Sequence, residues 1–212
     1  MELISWFRRC PIVAVLRGVQ PGESEAIVGA LDASGMVIAE VPMNSPDPLG
    51  SIRRLHARFG ERMLIGAGTV MRTAQVDEIA QAGGRLIVTP HADPAIVRAA
   101  RDAGLYAMPG FFTPAEAFAM LDAGAHALKM FPAEAASPRV LKALRAVLPA
   151  SAHVVPVGGI DARNLGPWLA AGASAVGVGS SLYRPGDDAA TVAGHARSLV
   201  AAVAAARAVA QC

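Results

Sequence analysis

The chain has 212 residues, enough for one domain or at most two small ones, and we expect a single domain over residues 1–212. Hydrophobic residues make up 53% and charged residues 17%, a composition that allows a large core and excludes wholesale disorder. The net charge is only +2 and the charges are spread along the chain, which argues against a nucleic-acid partner. No apolar run reaches the ~18 residues that span a bilayer, so we expect no membrane segment.

The cysteines and the N-terminal segment indicate a cytoplasmic protein. Cys10 and Cys212 cannot form a disulfide framework and lack metal-ligand neighbours, so we expect no metal site. Arg8 and Arg9 precede a short apolar stretch, but Arg17 interrupts that stretch too early for a secretory signal.

Short apolar runs, often β-branched, recur at intervals of about 19 to 27 residues, close to the length of one strand plus one helix. They are nearly continuous rather than alternating, which is typical of strands buried on both faces. The runs begin near Ile12, Val37, Met63, Leu86, Leu105, Ala127, Val154 and Ala175.

Segments with helical periodicity lie between these runs, for example at 73–82, 93–103 and 114–123. Two of them open with a capping side chain before a proline, at Asp93 and Thr113. Four of the predicted helices end at a glycine that can adopt the left-handed conformation and reverse the chain. These glycines are Gly83, Gly104, Gly124 and Gly172.

Eight such units predict a parallel sheet that is covered on both faces or closed on itself. The length fits a small (β/α)8 TIM barrel, whose usual lower size is ~200 residues. The alternative is an open doubly wound sheet, which typically has a glycine-rich dinucleotide-binding turn after the first strand. Residues 16–18 do not provide such a turn. We therefore predict an α/β (β/α)8 barrel with an extra N-terminal helix over 1–10, in which Trp6 and Phe7 plug the N-terminal mouth.

The carboxyl ends of barrel strands carry the chemistry, because the loops that follow the strands converge there. A cation, a carboxylate, a hydroxyl, a lysine and two glycine turns are therefore expected on one rim. The predicted strand ends lie at Arg17, Glu40, 66–69, 89–91, 109–110, 158–159 and 179–180, and the sixth strand carries Lys129.

Lys129 is one of only two lysines and stands in the apolar sixth strand. Burial lowers the pKa of a lysine from ~10.4 toward the ~7–8 of a nucleophilic amine, which is how a Schiff-base lysine arises. The alternative is a lysine that reaches from the strand edge to solvent. Lys142, the other lysine, lies on the charged face of an amphipathic helix and is expected on the surface.

Glu40 is an acid at the end of the apolar second strand. Such a carboxylate is either half of a structural ion pair or a proton-transfer group. The presence of Lys129 on the same rim favours proton transfer.

Glycines follow the seventh and eighth strands, where many barrels bind phosphate. Their backbone N–H groups can approach an anion, and a helix beginning at Asp161 is expected to add its dipole. The residues of this predicted phosphate site are Gly158, Gly159, Gly179 and Ser180.

Six motifs, in order along the whole chain, resemble the bacterial 2-keto-3-deoxy-6-phosphosugar-acid aldolases. These are class I enzymes that cleave such acids to pyruvate and glyceraldehyde 3-phosphate. The motifs are Leu-Arg-Gly (16–18), Glu-Val-Pro-Met-Asn-Ser-Pro (40–46), Gly-Ala-Gly-Thr-Val (66–70), Val-Thr-Pro (88–90), Leu-Lys-Met-Phe-Pro (128–132) and Val-Gly-Gly-Ile (157–160).

The resemblance implies a role for each matched position. Lys129 corresponds to the Schiff-base lysine and Glu40 to the general acid/base. Thr69 corresponds to a residue that holds the pyruvyl portion, and Arg17 to a substrate-binding arginine. The resemblance also implies a homotrimer that uses no metal or other cofactor, and a phosphate grip at Gly158, Gly159, Gly179 and Ser180.

The same resemblance bears on the substrate. Asn44, Val157 and Arg17 follow the galactonate-type pattern, whereas gluconate-type members carry arginine and threonine at the first two positions. Three alternatives stay open at this point. They are the gluconate-derived epimer as the main substrate, a phosphosugar isomerase or epimerase, and a catalytically dead barrel used for binding.

Overall fold

The structure, a computed structural model, describes residues 2–209 of the chain. The strands are β1 (Ile12–Val15), β2 (Ile38–Pro42), β3 (Leu64–Gly68), β4 (Leu86–Val88), β5 (Tyr106–Met108), β6 (Gly110–Phe111), β7 (Leu128–Met130), β8 (Val154–Pro156) and β9 (Val176–Val178). The helices are α1 (Leu3–Arg9), α2 (Pro21–Ala33), α3 (Pro48–Phe59), α4 (Ala74–Gln81), α5 (Pro94–Asp102), α6 (Pro114–Asp122), α7 (Pro138–Arg145), α8 (Leu165–Ala170) and α9 (Ala189–Val209), with a 3₁₀ turn at Ala133–Ala135. Cys212 lies outside the described residues.

All pairings between the described strands are parallel. The strands form a curled sheet, and with the helices they make an α/β fold. One part has the order β5-β4-β3-β2-β1-β9, and the other has the order β6-β7-β8. Only Pro109 separates β5 from β6 along the chain. A single parallel bridge between Val157 and Gly177 links the end of β8 to β9.

The predicted strands and helices are confirmed in their positions. Each predicted apolar run begins within one residue of a strand, and the fifth run is divided into β5 and β6. The caps also hold: Asp93 accepts a hydrogen bond from the Ala95 N–H, and Thr113 accepts one from the Glu116 N–H. The four expected helix-ending glycines all have positive φ, between 72° and 98°.

Two boundaries differ from the sequence prediction. Strand β2 continues to Pro42, so Glu40 lies in the middle of the strand rather than at its end. The prediction of a helix beginning at Asp161 is wrong, because α8 begins at Leu165. The Asp161 carboxylate instead accepts hydrogen bonds from the N–H groups of Arg163 and Asn164 and forms a turn ahead of the helix.

Helix α1 covers the amino edge of the sheet, as the sequence predicts. Trp6 and Phe7 are both buried. The Phe7 ring meets the ring of His153, which directly precedes β8, edge to face at 6.4 Å. The Arg85 guanidinium, directly before β4, lies 5.7 Å from the centre of the Trp6 ring.

Helix α9 is long and apolar enough to cross a bilayer by length and composition alone, and it is the one such helix among residues 2–209. Arg197 interrupts its apolar residues, so the expectation of no continuous apolar run of ~18 residues is not contradicted. One of its faces is buried in the protein, through Val192, Ala196, Leu199 and Val203. This face packs against α2 and α8, so α9 belongs to the outer helical layer of the fold.

Candidate active site

The two ionisable side chains predicted for catalysis are both buried in the sheet. Glu40 is 2% exposed and Lys129 is 5% exposed. Glu40 lies on β2 between Val15 of β1 and Gly66 of β3. Lys129 is the central residue of β7. The apolar, mid-strand setting that the sequence suggests for Lys129 is therefore present.

The carboxylate of Glu40 lies against the backbone of β3. A Cβ atom at Gly68 would overlap this carboxylate, so glycine at this position makes room for the side chain. Its Oε2 atom is buried and has no hydrogen-bond partner among the described residues. Burial raises the pKa of Glu40 to about 7, although the positive charges of Lys129 and Arg17 oppose the rise.

The pKa of Lys129 moves in the opposite direction. Burial holds it below its ordinary value, the charge of Glu40 opposes this shift, and the charge of Arg17 adds to it. The ammonium lies 4.6 Å from the centre of the Phe131 ring, a cation–π contact that favours the protonated form. Burial increases the fraction of neutral amine, which is the nucleophilic form.

Arg17, Asn44 and Thr69 meet at the rim above these two groups. Arg17 donates a 2.7 Å hydrogen bond from Nη1 to the Asn44 side-chain oxygen and a longer one, 3.4 Å, from Nη2 to the Thr69 hydroxyl. Thr69 has φ +54°, a conformation that costs a threonine energy and that clusters at functional sites. The sequence singled out all three residues but did not predict that Asn44 holds the Arg17 guanidinium.

A cavity of about 350 Å³ opens at the carboxyl ends of β8 and β9. Five residues from the sequence prediction line it together with Arg17, namely Val157, Gly158, Gly159, Gly179 and Ser180. Lys129, Glu40 and Thr69 do not line this cavity. Phe131 and Arg17 connect the two regions, because each lines the cavity and also contacts Lys129 or Thr69.

The glycine turn after β8 requires its glycines. Gly158 and Gly159 have φ values of +116° and +65°. Side chains at these positions would also press against the carboxylate of Glu134, which lies 3.1–3.2 Å from where their Cβ atoms would be. The turn therefore exposes backbone polar groups to the cavity rather than side chains.

The cavity contains charged side chains that the sequence analysis did not assign to the site. Two carboxylates, Glu134 and Asp161, line it, and Asp161 is paired with Arg163 at 2.6 Å. Arg184 also lines it and donates a 2.9 Å hydrogen bond from Nε to the Ser180 carbonyl. Arg184 lies four residues after Ser180 in the same loop, so a search of whole loops rather than strand ends would have found it.

No group of three or more His, Cys, Asp or Glu side chains is placed to hold a metal ion within residues 2–209. The cavity is lined by backbone atoms, two serines, the guanidinium groups of Arg17 and Arg184, and the two carboxylates named above. The backbone, hydroxyl and guanidinium groups can donate hydrogen bonds. Such groups suit an anionic organic ligand.

Comparison with known proteins shows the family to which the chain belongs. Residues 3–192 match the family described as "Aldolase: KDPG and KHG aldolase". The chain is 46% identical over 192 residues to the probable 2-dehydro-3-deoxy-6-phosphogalactonate aldolase of Rhizobium meliloti strain 1021, covering 91% of each chain. It is 43% identical over 199 residues to the 2-dehydro-3-deoxy-6-phosphogalactonate aldolase of Escherichia coli K12, covering 94% of this chain and 97% of that one. Identity to the KHG/KDPG aldolase of the same organism is 30%, over 84% of this chain and 82% of that one.

Solved structures of similar proteins have the same fold as this chain. A structure of native KDPGal superposes with a TM-score of 0.93 at 42% identity, over 94% of this chain and 97% of that one. A designed, cube-shaped protein cage made by fusing symmetric oligomeric domains gives the same TM-score at 42% identity, over 95% of this chain and 74% of that one. The structure of the KDPG aldolase of Legionella pneumophila contains pyruvate captured as a covalent carbinolamine. It superposes with a TM-score of 0.82 at 25% identity, over 97% of this chain and 98% of that one.

The fold and these relatives define the class of protein as an aldolase, a lyase that breaks a carbon–carbon bond. The chain belongs to the KDPG and KHG aldolase family.

The raised pKa of Glu40 predicts a pH-dependent stability. Because its folded-state pKa, about 7, lies above its ordinary value of 4.5, the stability present below pH 4.5 is lost as the pH rises through about 7. The variant Glu40→Gln should not lose stability in this way, because its amide does not ionise. The variant's free energy of unfolding, relative to that of the wild type, should therefore increase between pH 4.5 and 8, by roughly 1–3 kcal/mol.

Urea unfolding at several pH values measures this difference. Replacement of the exposed Glu78 by Gln is the control, and its stability relative to wild type should change much less over the same range. If the stabilities of the wild type and Glu40→Gln changed with pH in parallel, burial would not raise the pKa of Glu40, and the prediction would be wrong.

Proposed function

We propose that this chain is a class I aldolase that cleaves 2-dehydro-3-deoxy-6-phosphogalactonate to pyruvate and glyceraldehyde 3-phosphate, with Lys129 as the Schiff-base residue. The observation that carries the proposal is the buried Lys129 amine, whose pKa is held low, in the same sheet interior as the buried Glu40 carboxyl. The names of the 43–46% identical relatives support the substrate.

The proposed reaction begins when the neutral Lys129 amine attacks the C2 carbonyl carbon of the substrate. The carbinolamine that forms loses water and becomes an iminium ion. A base removes the C4 hydroxyl proton, the C3–C4 bond breaks, and its electron pair passes into the iminium to give an enamine. Glyceraldehyde 3-phosphate leaves, the enamine is protonated at C3, and water releases pyruvate and the free amine.

Glu40 is the proposed proton carrier in these steps. A pKa of about 7 allows its carboxyl both to give and to accept a proton near neutral pH. It would supply the proton for the loss of water, accept the C4 hydroxyl proton, and return a proton to C3. A general acid/base of this kind contributes about 10²–10⁴-fold to a rate.

The remaining predicted residues would hold the two ends of the substrate. We propose that Thr69 and Arg17 hold the pyruvyl end, since their contact at the rim places a hydroxyl and a guanidinium together. The phosphate would bind in the cavity of about 350 Å³, beside Arg184. Its proposed partners there are Gly158, Gly159, Gly179 and Ser180.

The lysine assignment predicts which residue is labelled by substrate. Lys129→Ala and Lys129→Arg should lose retro-aldol activity, because neither side chain offers a nucleophilic amine. Treatment with pyruvate and borohydride, followed by mass spectrometry, should give a covalent pyruvyl adduct in the wild type and none in these variants.

Lys142→Ala is a matched control, because it removes the only other lysine and should leave both activity and labelling intact. A pyruvyl adduct on Lys129→Ala would place the nucleophile elsewhere. An unlabelled wild type would instead favour an isomerase, an epimerase or a binding protein.

The choice of epimer depends on Val157, Asn44 and Arg17. Val157 lines the cavity at the end of β8 and offers no hydroxyl to the C4 oxygen of the substrate. A missing polar partner is worth about 1–3 kcal/mol, or roughly ten-fold or more in the ratio of rates. The gluconate-derived epimer is the second candidate, because the family also contains gluconate aldolases.

We predict that kcat/KM for the galactonate-derived substrate exceeds that for the gluconate-derived one by about ten-fold or more. Val157→Thr should reduce this ratio, whereas Val147→Thr, at a valine that is 59% exposed, should leave it unchanged. A preference of the wild type for the gluconate-derived substrate would overturn the epimer assignment but not the aldolase mechanism.

We infer that the two parts of the sheet belong to one closed (β/α)8 barrel, which forms a single domain over 1–212. The pairing of β1 with β9, the bridge from Val157 to Gly177, and the single residue between β5 and β6 support closure. Since the described chain carries no feature that requires a membrane, a nucleic acid or an extracellular site, we place the enzyme in the cytoplasm.

We also propose a homotrimer. Phe112 and Phe118 are 41% and 39% exposed on the surface of the single chain, and subunit contact would cover them. The similar chain of the designed cage is one of its symmetric oligomeric domains or is fused to one. Sedimentation equilibrium should give three times the 21.7 kDa mass of the chain, and a monomeric mass would contradict the proposal.

A further inference from the structure

The amino edge of the sheet carries a cluster of polar side chains that the aldolase reaction does not use. His126 and His153 precede β7 and β8, and Tyr106 begins β5. Arg101, in the last turn of α5, joins them. These four residues line one cavity of about 430 Å³ beneath the start of α1. A second cavity of about 340 Å³ shares three of them and adds Arg85.

The contact between Arg101 and His126 lacks an acceptor. The Ala107 backbone N–H donates to Nδ1 of His126 at 3.1 Å, which places the single ring proton of the neutral imidazole on Nε2. Nη1 of Arg101 lies 2.5 Å from that same Nε2. A guanidinium has no acceptor atom, so two donors face each other. The other tautomer would only move the conflict to Ala107.

Protonation of His126 does not resolve the conflict, because it places a second positive charge beside Arg101. Burial and the charge of Arg101 accordingly hold the pKa of His126 below its ordinary value. Burial, Arg145 and Arg8 do the same for the pKa of His153. Glu2 is the one acid that lines either cavity, and no ion pair joins Arg101 or His126 to a carboxylate within residues 2–209.

The position of Arg101 in its helix explains only part of this arrangement. A cation in the last turn of a helix is stabilised by the partial negative charge there. That effect requires no contact with His126. It leaves both the donor-to-donor contact and the facing cavity without an explanation.

We propose that this cavity binds a phosphate group, with one of its oxygens accepting hydrogen bonds from both Arg101 Nη1 and His126 Nε2. Because nitrogens 2.5 Å apart leave no room for an oxygen between them, the exposed Arg101 side chain moves away from His126 when the phosphate binds. The shared acceptor then replaces their repulsion with two charge-assisted hydrogen bonds. Ser151 and His153 line the same cavity and can meet further phosphate oxygens. The volume of about 430 Å³ also leaves space for the organic part of a small phosphomonoester.

This site is separate from the proposed catalytic site. The phosphate grip of the active site lies beyond the carboxyl ends of β8 and β9, whereas His126 and His153 lie before the amino ends of β7 and β8. The two ligands therefore bind at opposite edges of the sheet and do not compete for the same groups. The inference does not depend on which sugar acid the enzyme cleaves.

A histidine-selective NMR titration with inorganic phosphate tests the site, at constant ionic strength maintained with chloride. The His126 ring resonances, identified by their absence in His126→Gln, should shift and saturate. Arg101→Gln should weaken this binding about ten-fold or more, as expected for the loss of a charge-assisted hydrogen bond. Arg98→Gln, on the same helix but outside both cavities, is the matched control and should behave as wild type.

A parallel titration with glycerol 3-phosphate distinguishes the two sources of the phosphate group. Tighter binding than inorganic phosphate assigns the site to a phosphomonoester, and weaker binding assigns it to free phosphate. A His126 signal that does not respond to either ligand would overturn the proposal. So would an equal response in Arg101→Gln, whose fold is checked by its unchanged amide spectrum.

Discussion

The burial of one amine and one carboxyl in the same sheet interior is the constraint on which the site depends. Water stabilises both charged forms, so its removal raises the pKa of Glu40 and lowers that of Lys129. Each charge partly offsets the shift of the other, but burial remains the largest influence on both. The neutral amine and the protonated carboxyl that burial favours are also the forms needed for attack on a carbonyl and for the loss of water. In the proposed reaction the same desolvation would both cost stability and supply reactivity.

The backbone around these groups departs from regular strand geometry where the site requires it. Gly68 ends β3 without a Cβ atom because the Glu40 carboxylate occupies that space. The next residue, Thr69, takes a left-handed conformation and meets Arg17. Asn44 then fixes the other side of the guanidinium. Backbone pairing resumes directly after Thr69, where the Val70 N–H donates to the Val88 carbonyl of β4 at 3.1 Å, so this strained residue does not separate the two segments.

Much of the fold could be predicted from the sequence because its signals are local. Strand positions follow from continuous apolar runs, and the caps at Asp93 and Thr113 follow from residue type and spacing. The prediction of a helix beginning at Asp161 is wrong, because an aspartate that can cap a helix can also close a turn. Contacts between distant loops were not predictable from one sequence. The hydrogen bond from Arg17 to Asn44 and the position of Arg184 in the cavity at the ends of β8 and β9 depend on how loops from different strands converge.

The two edges of the sheet differ in how they balance charge, and the difference follows from the parallel topology. Helices that run back alongside the strands place their carboxyl ends at the amino edge, where partial negative charge favours cations such as Arg101 and Arg145 in the last turns of α5 and α7. At the carboxyl edge, Glu134 and Asp161 accompany Arg17 and Arg184 around the cavity. The cavities at the amino edge have Glu2 as their one lining acid, so the half charge of a helix end must balance full guanidinium charges. That balance is incomplete where Arg101 also faces the Nε2 proton of His126. At that point an anion is the partner that would complete the balance, because it can accept hydrogen bonds from both donors.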